Sequence, residues 1–266
     1  MLEPLPTLVP PRRRENRLAR NLPAGAALAA LAAGWRDFRH HPAGSLAYGL
    51  ALFVISVVVI WALWRFHLLY LVLPALAGFM IVGPFMAIGL YRKSSAIAHG
   101  QELDLEGMRR ARRSSAAQLA YAGLLLCLLF IFWLRAADLL YALFFGLIPF
   151  PGYEEALVNT FTTARGWGLL VSGGFVGALF AAFAFAVSLY AIPMIEFEGR
   201  DALTAMGTSF AMVAKNLVPS FAWGVIVTVG IGLSVVTGLL GLIIVFPVLG
   251  HGTWHLYRAM RAGAEG

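Results

Sequence analysis

Apolar residues run through this chain in long stretches broken by short polar segments, and the length of those stretches is the first guide to the elements. A helix needs about 20 mostly apolar residues to cross the hydrocarbon core of a bilayer. Six stretches meet that need: 46–64, 68–91, 119–133, 167–195, 217–239 and 240–257. The last two are continuous, and as one helix rising about 1.5 Å per residue they would reach about 60 Å, twice the hydrocarbon thickness. The chain must therefore turn back, and the place predicted is Thr237-Gly238 to Gly241, where glycine reaches turn geometries that branched residues do not.

The polar segments carry their own periodicities. Residues 1–23, with Pro4, Pro6, Pro10, Pro11 and Arg12-Arg13-Arg14, read as a flexible basic tail, the alternative being the charged start of a signal peptide ahead of Ala24–Ala33. Leu28, Leu31, Trp35 and Phe38 recur at helical spacing beside Arg36 and Arg39, which predicts a helix lying in the inner interface over 24–42. A second such helix is expected over 102–118. A third is expected over 201–216, where Leu203, Met206, Phe210 and Val213 share a face. Helix plus hairpin, three times over, would make a repeat; a tyrosine and a basic residue at every inner boundary would produce much the same pattern. Between Arg135 and Arg165 an apolar piece, 138–150, is predicted to form an outer-leaflet or re-entrant helix, with a short amphipathic helix after it over 154–163.

Composition fixes the class. Hydrophobic residues make up 60% and charged residues 12% of the 266 residues, with mean hydropathy +0.80, against about 45–50% and about 25% in soluble domains. The fold class expected is all-α: a polytopic membrane helical bundle with six transmembrane helices over 43–258, interfacial amphipathic helices, and a C-terminal tail over 259–266. The single cysteine, Cys127, has no partner in the chain. The net charge of +7 reports topology and anionic headgroups here, so the partners expected are membrane lipids and other membrane protein subunits, not nucleic acid. With both termini cytoplasmic in a bacterial inner membrane, only Arg65, Arg135 and Arg165 of the 20 lysines and arginines fall outside. Trp61, Trp64, Trp133, Trp167, Trp223 and Trp254 fall near the proposed ends, where an interfacial belt places them.

Candidate chemistry is sparse. His251 and His255, four apart, project from one helix face; they could offer two ligands to a metal or haem, but two are too few and no acidic or thiolate partner is near in sequence, so no cofactor is expected. Arg135, Asp138, Glu154, Glu155 and Arg165 could gather as an outer polar cluster, either a vestibule or a salt-linked cap. Pro74, Pro84, Pro193 and Pro247 interrupt or end spans, as in transporter binding sites and in ordinary membrane helices alike. In the fourth span Gly173, Gly177 and Ala181 form one row of small residues, and Gly174, Ala178 and Ala182 the next, a ridge predicted to pack on another helix. The sequence shows no phosphate-binding loop, zinc-protease helix, nucleophile elbow or mid-membrane acidic or basic residue, so catalysis is not expected.

Gly34-Trp35-Arg36-Asp37, the run from Gly83-Pro84 to Gly89-Leu90-Tyr91, Asp201-Ala202, and Pro247 through Gly250-His251-Gly252-Thr253-Trp254-His255-Leu256-Tyr257-Arg258 resemble the bacterial predicted integral membrane proteins of domain of unknown function 2189. The resemblance spans 34–258 and implies a six-span inner-membrane protein without an assigned reaction. Some members carry a cytochrome c oxidase label, which the two histidines at one helix end do not match as a catalytic subunit. The function expected is a non-catalytic accessory, scaffold or assembly component of a membrane complex. The alternative is a carrier or binding protein for a small amphiphile or lipid.

Overall fold

The computed structural model describes residue 18 and residues 22–68, 71–101, 105–109, 113–146 and 152–261. Among these residues the regular elements are helices: α1 (Gly25–Arg39), α2 (Pro42–Arg65), α3 (Val72–Met86), α4 (Ile88–Ala98), α5 (Leu105–Arg109), α6 (Arg113–Phe145), α7 (Tyr153–Thr162), α8 (Ala164–Ser188), α9 (Ala191–Glu198), α10 (Ala202–Lys215), α11 (Leu217–Val236) and α12 (Leu242–Arg261). The protein is an all-α polytopic membrane bundle.

Among the described residues five helical stretches are long and apolar enough to cross a membrane: Pro42–Arg65, Pro74–Ala98, Ser115–Phe145, Ala164–Glu198 and Leu217–Val236. The chain reverses after α11 through Gly238 and Leu239, both at positive φ, and returns as α12. That helix, expected as the sixth span, is less apolar than these five. Pro247, Gly250, His251, Gly252, Thr253 and His255 dilute its apolar character, and it is buried by protein instead, from Leu242 and Phe246 to Leu256 and Met260. In contrast α2 turns Val54, Ile55, Val58 and Trp61 outward, as a helix solvated by lipid does.

Helix α1, expected to lie in the inner interface, packs on protein along its small-residue face. Its small residues Ala27, Ala30, Ala33 and Gly34, with Asp37, form the buried face, while Leu28 and Trp35 are 62% and 44% exposed. The close approach needs glycine. A Cβ on Gly34 would lie 2.5 Å from the Val248 carbonyl oxygen and 2.6 Å from the Gly252 nitrogen, and one on Gly49 would meet the backbone of Ile243. Thus α1 and α2 clamp α12 from two sides through close backbone approaches that the Gly173–Gly177 ridge of the fourth span lacks.

Other expectations shift for local reasons. Residues 135–145 continue α6 without a break, so the apolar piece after Asp138 is an extension of the third span, ended at Gly146 (φ 76). Of the helix expected over 102–118, Leu105–Arg109 is α5 and 113–118 begin α6, while 102–104 and 110–112 lie outside the described residues. The tail before Leu18 and residues 19–21 and 262–266 lie outside the described residues. Trp61, Trp64 and Trp167 are exposed as belt residues, but Trp223 and Trp254 are buried in the core. The fourth span breaks at Leu189-Tyr190, because Pro193 has no N–H to donate to a carbonyl one turn earlier. Ser209 of α10 repairs the break, donating to the Ala186 carbonyl (2.7 Å) and accepting from the Tyr190 N–H (3.0 Å). The core gathers where α4, α9, α10 and the second half of α12 meet, around Tyr91, Tyr190, Ile192, Met194, Trp223 and Leu256.

Candidate functional site

The bundle is not packed solid. A cavity of about 500 Å³ lies among α3, α4, α6, α8, α11 and α12. Its walls are mainly Met80, Phe79, Leu126, Phe130, Phe180, Phe185, Val227, Ile231, Phe246 and Leu249, and no lining residue is charged. The polar groups on it are Tyr91, Ser188 and Thr253, with the indoles of Trp133 and Trp223. The Thr253 hydroxyl donates to the Leu249 carbonyl at 2.8 Å. The Trp223 indole N–H is buried without an acceptor.

Small residues of α8 make the room. Gly177, Ala181 and Ala184 line the cavity, and a Cβ on Gly177 would meet only Trp133 Nε1, at 3.6 Å. On the same ridge a Cβ on Gly173 or Gly174 would have nothing within 4 Å, and Gly174, Ala178 and Ala182 are exposed. The ridge thus serves as a cavity wall on one row and an open face on the next, where close helix packing had been expected. Glycine spacing alone cannot tell a packed groove from a hollow.

The histidines sit on the other side of α12, in a buried polar network. Lys93 Nζ donates to the His41 carbonyl and to Ser45 Oγ, both at 2.8 Å. Ser45 Oγ is 2.9 Å from His251 Nε2, and Ser94 Oγ is 2.7 Å from His251 Nδ1. The Asp37 carboxylate lies beside this network, its Oδ2 2.8 Å from His255 Nε2. Ser45, Ser94 and His251 are fully buried, and Lys93 is 4% exposed. Burial raises the Asp37 carboxyl, but the hydrogen bond from His255, helped by Ser94 and the neighbouring histidines, outweighs it and holds the group below its ordinary range.

His251 and His255 therefore do not converge on one point, since Ser45 and Ser94 take both ring nitrogens of the first and Asp37 takes one of the second. Among the described residues no three His, Cys, Asp or Glu side chains come together as a metal site. Sequence reading missed Asp37, Ser45, Lys93 and Ser94; these partners are 157 to 218 positions from the histidines they bond, except for the pairing of Lys93 with Ser45. The visible signal was a lysine and a serine pair near the end of an apolar run. Below this network Glu198 accepts from Tyr257 (2.6 Å), Arg200 (2.7 Å) and Arg261 (2.8 Å), and Arg92 pairs with Glu196 at 2.8 Å.

The outer polar cluster gathers in part. Arg135 and Asp138 pair at 3.1 Å and are 71% and 64% exposed, while Glu155 and Arg165 are exposed and the side chain of Glu154 lies outside the described residues. An exposed pair of this kind is worth about 0–1 kcal/mol and marks no site.

Fold and cavity define a helical integral membrane protein. Residues 71–196 match the family model described as predicted integral membrane protein, domain of unknown function 2189, the family its motifs resemble. The matched stretch covers α3 to α9 and stops short of Gly250–Arg258, the ending that carried most of the resemblance. Comparison with curated proteins and with solved structures gave no match.

Proposed function

We propose that this protein binds a neutral, largely apolar molecule inside the membrane, as a carrier or binding protein for a small amphiphile or lipid. The observation that carries this reading is the uncharged cavity of about 500 Å³, within the size range of ligand pockets, about 300–1,000 Å³. The cavity is partly open, with Leu76, Met80 and Ala181 on its rim exposed, so a lipid-soluble molecule can reach it from the bilayer. A carboxylate or phosphate head would enter without a counter-charge, at a cost no contact there offsets. One hydroxyl or carbonyl is accommodated at the Tyr91, Ser188 and Thr253 end, with the chain running past Phe130 and Met80. The arginine asymmetry supports an inner-membrane setting with both termini cytoplasmic.

Brominated lipids quench tryptophan on contact, and Trp133 and Trp223 line the cavity. A brominated monoacylglycerol titrated into the purified protein is expected to quench saturably, whereas the brominated fatty acid at pH 8 quenches only as bulk detergent does. Equal quenching by both overturns the reading. The accessory-component reading is favoured by one other observation, the exposed row Gly174, Ala178 and Ala182 on α8, a face that suits a partner helix.

A further inference from the structure

The closed end of the cavity carries three hydroxyls on buried side chains: Tyr91 from α4, Ser188 from the last turn of α8 and Thr253 from α12. At the rim Leu76, Met80 and Ala181 are exposed. A molecule arriving from the bilayer therefore meets apolar walls first and hydroxyls last. Each hydroxyl holds one proton and two acceptor positions. Two of the protons are committed to the backbone, since Thr253 donates to the Leu249 carbonyl at 2.8 Å and Ser188 to the Phe185 carbonyl at 3.5 Å. What these two oxygens still offer is their lone pairs. The Tyr91 proton is different: among the described residues no backbone carbonyl or carboxylate accepts it. Other buried tyrosines are served by the protein, Tyr190 Oη lying 3.3 Å from Ser220 Oγ and Tyr257 donating to Glu198 at 2.6 Å. Buried hydroxyls are as a rule hydrogen-bonded, so the Tyr91 hydroxyl, on a side chain 2% exposed, points to a partner from outside the chain.

The closed end thus presents one donor, Tyr91, and two acceptors, Thr253 and Ser188. Trp223 lines the cavity with its ring, but its N–H is fully covered and reaches nothing. A ketone or ester oxygen only accepts; it would engage Tyr91 and leave the two acceptors facing apolar atoms. An alcohol does both, its oxygen accepting from Tyr91 while its proton goes to Thr253 Oγ1 or Ser188 Oγ. We propose that the molecule held in the cavity is a long-chain alcohol, its hydroxyl bound at Tyr91, Thr253 and Ser188 and its chain directed to the rim at Leu76 and Met80. This rests on the cavity reading given above and narrows it from any neutral amphiphile to one whose head both donates and accepts. Between Ser188 and Gly177 helix α8 lines about 16 Å of the cavity at about 1.5 Å per residue, a length for a chain and not for a second head.

Trp133 and Trp223 report binding by quenching, so the test uses three brominated probes that share one chain: the primary alcohol, its methyl ether and the matching methyl ketone. Each is titrated, as mole fraction of detergent, into the purified full-length protein. The alcohol is expected to quench saturably, with half-saturation at least about fivefold below the other two, the worth of one net hydrogen bond. In Tyr91→Phe and in Thr253→Val that preference should shrink toward unity, while Thr253→Ser keeps it and Ala184→Phe loses saturable quenching by every probe. Equal, saturable quenching by all three in the wild type overturns the assignment of an alcohol and leaves the cavity reading intact; saturable quenching by none overturns both. The wild-type comparison decides the matter alone if the variants do not fold.

Discussion

Replacing Gly34 by alanine adds one methyl group and should be among the most damaging single changes in the protein. The new Cβ would stand 2.5 Å from the Val248 oxygen, 2.6 Å from the Gly252 nitrogen and 2.9 Å from its Cα, all backbone atoms that no rotamer can clear. Helix α1 must withdraw, on the order of 1 Å, to reach ordinary contact. If it only shifts, the cost is that of overpacking, about 1–3 kcal/mol. If it detaches, the protein loses the burial of Phe38, about 1.5–3 kcal/mol, and of three alanine methyls at about 0.8 kcal/mol each, roughly 4–5 kcal/mol together. The better helix propensity of alanine returns at most about 1 kcal/mol. Gly173→Ala is the control, because its Cβ meets nothing within 4 Å and only the propensity gain remains. The assay is the temperature at which detergent-purified protein loses its monodisperse chromatographic peak. A Gly34→Ala protein as stable as wild type, or a Gly173→Ala protein equally weakened, would refute the packing of α1 on α12.

Further predictions rest on separate features. Because the folded Asp37 carboxyl lies below its unfolded value of 3.8, its contribution is complete above that value and fades as pH falls through the folded one, so Asp37→Asn should flatten the acid limb of the stability profile below about pH 4. Thr163 caps α8 by accepting from the Gly166 N–H at 3.0 Å, and Thr163→Ala should cost about 1 kcal/mol in the same thermal assay. Gly177→Leu should leave stability unchanged or higher, since the cavity receives the side chain, and a fall like that of Gly34→Ala would show that the ridge is packed after all. Periplasmic reporters should be active when fused near Arg65, between Arg135 and Arg165, or at Gly238, and a periplasm-active fusion at Arg109 would invert the orientation.

Much of the fold was legible because membrane crossing is a constraint on length and polarity that a single sequence displays. The fold-back near Gly238, the long apolar helices and the short helix after Gly152 all follow from it. What was not legible came from packing between distant segments. Leu28 and Trp35 mark an interfacial helix in the sequence, but nothing there shows that the opposite face of α1 buries Ala30 and Gly34, which pack closely only because Gly252 lies opposite. Trp223 and Trp254 looked like belt residues because they lie near span ends, and they are core because α1 and α10 cover that end of the bundle. His251 and His255 stood out, correctly, as unusual; the serines and charges that occupy them arrive from α1, α2 and α4. The cavity had no sequence signal of its own, since residues that line a hollow and residues that line a groove are alike small or apolar.

The claim on which the account turns is that the cavity holds a neutral apolar molecule, and the measurement closest to it is mass spectrometry of what the protein retains. Protein purified in mild detergent is stripped of loosely held lipid by washing and then extracted with organic solvent. An uncharged species is expected, near one per chain, that is depleted in Ala184→Phe, a substitution that fills the cavity from α8 and leaves the His251 network untouched. Retention of the same species in the filled variant, or recovery of nothing beyond the bulk phospholipids of the membrane, would contradict it.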